Sequence, residues 1–208
     1  MAVLITIPHG ASPTGDGERN SDIGALRLLP FLEEALEELD IHFTSLVGTT
    51  NRDILDLNRL RAHSHPWVQE AREEMLDASV HIDLHSFPYV EEPTKSSTGY
   101  DIDVWSKHTV VLFNTPEITN QGFLEIVERE LEEMSIPTAE EQGGFENYIS
   151  NMASILFDLP SLVVEINEGD SRDYGSVASA LAVGILNQLE LLSEQPLLDD
   201  EPLLAEDA

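Results

Sequence analysis

An α/β domain with a mainly parallel, mixed sheet and helices on both faces is the fold class this chain predicts. Three observations lead there. Apolar runs of strand length alternate with segments of helical periodicity between residues 3 and 192, the pattern of βαβ units. The runs "VLITIP", "TVVLFNT" and "SLVVEIN" are apolar over most of their length, as strands covered on both faces must be. A chain of 208 residues suffices for one well-packed domain and is short for two.

The elements follow in order. "VLITIP" (3–8) reads as a buried strand, and "DIGALRLLPFLEEALEEL" (22–39) as a helix with Pro30 as a kink point. "HFTSLVG" (42–48) is a second strand, followed by "NRDILDLNR" (51–59). "HPWVQEAREEMLDA" (65–78) is a helix with Pro66 in its first turn, where a missing N–H costs nothing. "SVHIDLHS" (79–86) is the third strand, and a polar connection (87–107) leads to the fourth, "TVVLFNT" (109–115). A helix (121–134), a polar stretch with two adjacent glycines (137–152), the fifth strand "SLVVEIN" (161–167) and a small-residue helix (174–192) complete the series. The two polar stretches are long enough to be pocket loops. The expected domain is 1–194. The remainder, 195–208, is an acidic tail with a short repeat, PLLDDE then PLLAED, solvated or docked on an assembly partner through its paired leucines.

Composition narrows the function classes. Asp and Glu number 40 against 10 Lys and Arg, a formal net charge of −30, and the acids run along the whole chain. Such a surface argues against nucleic acid and anionic membrane as partners. Together with only two lysines, it favours a protein working in molar salt, where the Debye length is about 3 Å, over an acidic protein at ordinary salt. The expected location is a high-salt cytoplasm or the virion of a halophile virus. The N-terminus shows no basic region or cleavage pattern of a signal peptide. No apolar run reaches the length of a membrane span. Without cysteine, a metal would be held by His, Asp or Glu.

Chemistry concentrates in "HIDLHSFP" (81–88). Val80, Ile82 and Leu84 alternate with His81, Asp83 and His85, so one face of a buried strand is ionisable. In open parallel sheets, sites form beyond the carboxyl ends of the strands. His9 follows the first strand, His85 ends the third, and Glu165 lies late in the fifth. His81 and His85 are about 13 Å apart along an extended strand, too far to share one zinc through bonds of about 2 Å. His85 is therefore the better ligand and His81 a hydrogen-bonded core residue. Asp83, on the same face, is placed to orient a ligating imidazole.

"PHG", "SDIGALRLL", "NRDILDLNR", "DLHSFP" and "VVEIN" occur in that order. The set resembles the N-formylglutamate amidohydrolase family, a branch of the zinc carboxypeptidase clan that also holds the aspartoacylase and succinylglutamate desuccinylase deacylases. The resemblance runs from residue 8 to about residue 167. It implies a zinc carboxypeptidase-like (phosphorylase/hydrolase-like) fold and Zn²⁺ held by His9 and His85. The clan's glutamate three positions after the first histidine is replaced here by Ser12. In the formylglutamate branch the aspartate of a "DIGA"-like motif is available instead, here Asp22, with Asp16 and Glu18 in the same loop as rivals. Arg52 matches the clan's oxyanion-stabilising position, Asn58 and Arg59 its substrate-carboxylate positions, and Glu165 its general base.

The expected activity is a zinc-dependent amidohydrolase cleaving a carboxylate-bearing N-acyl amide, of the N-formylglutamate kind. A carboxypeptidase-like peptidase and a non-catalytic binding or structural protein that kept the fold are the alternatives. His63 and His65 could line the pocket, form a second metal site, or simply open a helix. Tyr148 is a candidate hydrogen-bond donor, and His42 and His108 read as structural.

Overall fold

A computed structural model describes residues 1–10, 21–87, 105, 107–115, 119–142, 147–169 and 173–194. Among the described residues, six strands form one mixed sheet: β1 (Ala2–Ile7), β2 (His42–Val47), β3 (Val80–Phe87), β4 (Val110–Asn114), β5 (Thr138–Gln142) and β6 (Ser161–Asn167), in the order β2-β1-β3-β6-β4-β5. β2, β1, β3 and β6 run parallel, whereas β4 is antiparallel to β6. The carboxyl ends of β1, β3 and β6 thus lie side by side.

The strand pleat divides the sheet chemically. Val3, Ile5, Ile7, Val80, Ile82, Leu84, Leu162, Val164 and Ile166 are buried in the main apolar core with α1 (Ile23–Glu38), α3 (Gln121–Glu133) and α5 (Tyr174–Glu194). On α1 that core takes Ala25, Leu28, Leu32 and Leu36, a stripe at helical spacing. Removing one such leucine side chain costs about 2–5 kcal/mol. Pro30 lies inside α1 without ending it. It sits on the solvent side of the helix.

The opposite face is covered by α2 (Pro66–Glu74) and a short helix α4 (Tyr148–Asn151) that continues as a π turn, Met152–Leu156. Leu4, Leu57, Trp67, Val68, Met75, Ile149 and Met152 form a second apolar cluster there. Phe87, Trp105, Val111, Phe113 and Val163 form a third. Between these clusters the face is polar, and it carries Thr6, His81, Asp83 and His85, all buried.

Two elements depart from the sequence reading. The polar stretch 137–152 contains strand β5 and helix α4. "TAEEQ" has no apolar alternation, but an edge strand needs one hydrogen-bonded neighbour, here β4, and its acids discourage further pairing. Second, α5 is long and apolar enough to cross a membrane by composition, with mean hydropathy 1.4 over 18 residues, and half of that window is buried. It packs against both α1 and α3, so two sides face protein. Gly184 lets it approach α3: a Cβ there would lie 2.9 Å from Val127 Cγ2.

Candidate metal centre and active site

The loops at the carboxyl ends of the strands cross closely. A Cβ on Gly10 would lie 2.4 Å from the Gly48 carbonyl oxygen, and one on Gly48 would lie 2.4 Å from that of Pro8. Glycine is thus required in "PHG" because the backbone after β2 passes where a side chain would be. This crossing fixes His9 beside the end of β3. The Asp22 N–H donates to the His9 carbonyl at 2.8 Å, which brings the start of α1 to the same place.

His9, Asp22 and His85 come together there, all buried, each offering a ligand atom within 4.8 Å of the others. Asp22 Oδ2 is 3.2 Å from His9 Nδ1 and 3.0 Å from His85 Nδ1. Tetrahedral zinc with bonds of about 2.0–2.1 Å places its ligand atoms about 3.3 Å apart, and both separations from Asp22 are close to that. The far side of each ring fits as well. His9 Nε2 is 2.8 Å from Asp56 Oδ1, and His85 Nε2 is 3.2 Å from Asp83 Oδ2. An imidazole whose Nε2–H is held by a carboxylate presents Nδ1 to a metal. Of the two rivals to Asp22, Asp16 and Glu18 both lie outside the described residues.

The charges around the cluster are strongly coupled. Burial opposes a charged His85, but Asp83 and Asp22 outweigh it and hold its pKa well above the ordinary value. Burial would raise Asp22 and Asp83; hydrogen bonds and charge from the neighbouring histidines outweigh it and hold both below the usual carboxylate range. Asp56 is also held well below it, by His9 and then by Arg52 and Arg59, against its own burial. The carboxylates therefore stay ionised near neutrality, as metal binding requires.

Asp56 was not singled out in the sequence, yet it joins two parts of the site. Oδ1 faces His9 and accepts from the Asn58 N–H at 3.0 Å; Oδ2 is 3.3 Å from Arg52 Nε and 3.6 Å from Arg59 Nε. Both arginine side chains remain partly exposed, 39 % and 30 %. Asn58 is placed differently from the sequence expectation of a substrate-binding group, because it is fully buried. Its Nδ2 lies 3.1 Å from His85 Nε2 and donates to Asn147 Oδ1 at 3.1 Å, while its Oδ1 accepts from the Ile149 N–H at 2.9 Å. It ties the "DLNR" loop to α4.

Glu165 is the direct cross-strand neighbour of His85 on the polar face of β6. Burial pushes its carboxyl up to about 7; Asp22 adds to this, while His85, His9 and Arg52 oppose it. A carboxyl titrating near neutrality is suited to both accepting and returning a proton. His81 lies deeper and is turned away from the cluster: Nδ1 meets Ser161 Oγ at 2.7 Å and Nε2 meets Thr6 Oγ1 at 2.9 Å. Thr6 donates onward to Asp83 Oδ1 at 2.7 Å. Burial lowers the His81 pKa to about 4, so it is neutral.

The remaining candidates have other roles. His65 caps α2, accepting from the Trp67 N–H at Nδ1, and its Nε2 meets Thr50 Oγ1 at 3.2 Å. Both its nitrogens are thus occupied by the protein. His63 is exposed, its Nδ1 against the Leu60 carbonyl. The Tyr148 ring packs on the second apolar cluster. His42 is exposed at the start of edge strand β2, whereas the His108 carbonyl accepts from Asn167 Nδ2 at 2.8 Å. The connection 88–104, "GGFE" (143–146) and the tail 195–208 lie outside the described residues.

No protein-family profile and no curated protein matches the chain. Solved structures do. The catalytic domain of CwlV, an N-acetylmuramoyl-L-alanine amidase from Bacillus (Paenibacillus) polymyxa var. colistinus, aligns with TM-score 0.56 at 14 % identity over 91 % of this chain and 98 % of that one. A metallo-carboxypeptidase from Burkholderia cenocepacia aligns with TM-score 0.58 at 13 % identity over 92 % of this chain and 57 % of that one, so the chain spans little more than half of that protein. An N-formylglutamate amidohydrolase from Ralstonia eutropha JMP134 aligns with TM-score 0.53 at 17 % identity over 92 % and 93 %. The chain is similar in fold to these carboxypeptidase-like and amidohydrolase proteins, and its His9–Asp22–His85 cluster is a group that could bind a metal.

Proposed function

We propose that the protein is a zinc-dependent amidohydrolase of the N-formylglutamate amidohydrolase kind, cleaving a small N-acyl amide or peptide that carries a free carboxylate. One observation carries the reading. Two histidines present Nδ1 to one aspartate oxygen, each with Nε2 held by a second carboxylate, and Glu165 stands across the strand from one of them. The ordered motifs of the sequence and the likeness in fold support it.

Zinc bound by His9, Asp22 and His85 would supply Lewis-acid chemistry, polarising the amide carbonyl and lowering the pKa of water toward neutrality. Glu165 accepts the proton of the attacking water and returns it to the leaving nitrogen. Arg52, anchored on Asp56 through Nε, stabilises the developing oxyanion. Arg59, on the same anchor, pairs with the substrate carboxylate, for which a planar guanidinium is well shaped. The products are a short acid and an amine. Asn58 acts from behind, holding the start of α4. The low-lysine, acidic surface fits action in concentrated salt.

The test is hydrolysis of N-acyl amino acids by the zinc-loaded protein. Glu165→Gln should bind zinc as the wild type does and lose at least 100-fold in kcat. Arg59→Ala should raise KM for a free-carboxylate substrate far more than for its amide analogue. Unchanged turnover in Glu165→Gln, or no hydrolysis of any carboxylate-bearing amide by the wild type, would refute the proposal.

A further inference from the structure

Asp22 stands at the N-cap of α1, yet its side chain makes no cap hydrogen bond. An aspartate there ordinarily accepts from the N–H of the second or third helical residue, since the first N–H groups of a helix lack intrahelical partners. Here its Oδ2 faces His9 and His85 instead. The second helical residue is Gly24, and its N–H is taken by Ser86 Oγ from β3, at 3.0 Å. Ser86 in turn donates its own proton to Glu168 Oε1 at 2.6 Å. That leaves the hydroxyl lone pairs for Gly24 and puts a carboxylate close to the helix N-terminus, where negative charge is favourable.

The close fit has a steric basis. A Cβ on Gly24 would lie 2.9 Å from Ser86 Cβ, 3.1 Å from Glu168 Cγ and 3.3 Å from the Ile166 carbonyl oxygen. The glycine of "DIGA" is thus what lets α1 sit on the ends of β3 and β6, and the serine of "DLHS" is what it meets there.

We infer that Ser86, oriented by Glu168, caps α1 in place of Asp22 and so frees the Asp22 carboxylate to act as a metal ligand. The inference rests on the reading of His9, Asp22 and His85 as a metal centre. The Asp22 oxygen that faces the two imidazoles makes no bond to the helix N–H groups. With Ser86 present, the helix makes no claim on Asp22. Ser86 and Glu168 are positioning residues; neither belongs to the ligand set.

Zinc titration of the full chain against a competing chelator tests this. Ser86→Ala should weaken zinc binding about tenfold, the low end for loss of a group that orients a ligand. Ser86→Thr, which keeps the hydroxyl, should restore it. In an Asp22→Ala background, already weaker, Ser86→Ala should have no further effect. A merely structural role would weaken binding equally in both backgrounds, and that result, or no loss in the first, would overturn the inference alone. If Asp22→Ala binds zinc as tightly as the wild type, or the wild type binds none, the metal-centre reading falls and takes the inference with it. Should Ser86→Ala not fold, Glu168→Ala carries the same comparison. It should show a loss that vanishes in the Asp22→Ala background, while Glu168→Gln, which keeps an acceptor, stays near wild type; an equal loss in both backgrounds overturns the inference.

Discussion

At the scale of single residues, Asp56 is the group on which most of the site converges. It holds His9 through one oxygen and both arginines near the other. Asp56→Asn should therefore weaken zinc binding about 10–100-fold and also raise KM for carboxylate substrates, since Arg52 and Arg59 lose their anchor. Zinc titration and steady-state kinetics on that one variant check both effects, and a change in only one would show that Asp56 does not couple them. Nothing in the sequence marked Asp56, because it is one of 40 acids and its role comes from a loop folding back on His9. His9, His85 and Glu165 stand out in the sequence because each lies near the carboxyl end of a strand. Asp22 needed the resemblance, and the structure brings it to the histidines. Asn58 was read as facing substrate. A motif gives an order of residues but not the direction of an amide, and this one points into the protein.

At the scale of elements, the fold was readable wherever the pattern was strong. The apolar strands β1, β4 and β6, the alternating strand β3 and the striped helices α1 and α3 have the periods that burial on two faces or one demands. β5 and α4 were not readable. The first is a polar edge strand; the second is four residues, too short for periodicity. Strand β3 shows how one element serves both stability and site, since its apolar side is core and its polar side links His81 through Thr6 to Asp83 and His85. That link has a pH signature. His81 is held neutral with a pKa of about 4 against 6.5 when unfolded, so the unfolded state binds the extra proton and stability falls as pH drops from 6.5 toward 4. His85, raised in the fold, contributes a constant amount below 6.5, and Asp22 and Asp83 lose theirs only below 3.8. Relative to His81→Gln, the wild type should lose about 2 kcal/mol between pH 6.5 and pH 4.5. Denaturant melts at pH 6.5 and pH 4.5 measure it, and a constant difference between the two proteins would show that His81 is not held neutral.

At the scale of the whole molecule, a net charge of −30 on 208 residues acts on every other property. Self-repulsion disfavours the compact state in dilute buffer, and raising salt from about 0.1 M to 1 M shortens the Debye length from about 10 Å to about 3 Å. The melting temperature should rise with potassium chloride over that range; a flat or falling curve would leave the acidity without this explanation. The same field repels an anionic substrate, while Arg52 and Arg59 attract it at the site. Salt therefore screens repulsion as well as attraction, and KM should not climb steeply toward 1 M. The proposed chemistry presupposes that three residues, brought together from the end of β1, from β3 and from the start of α1, hold one metal ion. Elemental analysis of purified wild type and His85→Ala tests that claim most directly. The account predicts about one zinc per chain in the wild type and loss of it in His85→Ala. Full zinc occupancy in His85→Ala, or none in the wild type, would contradict it.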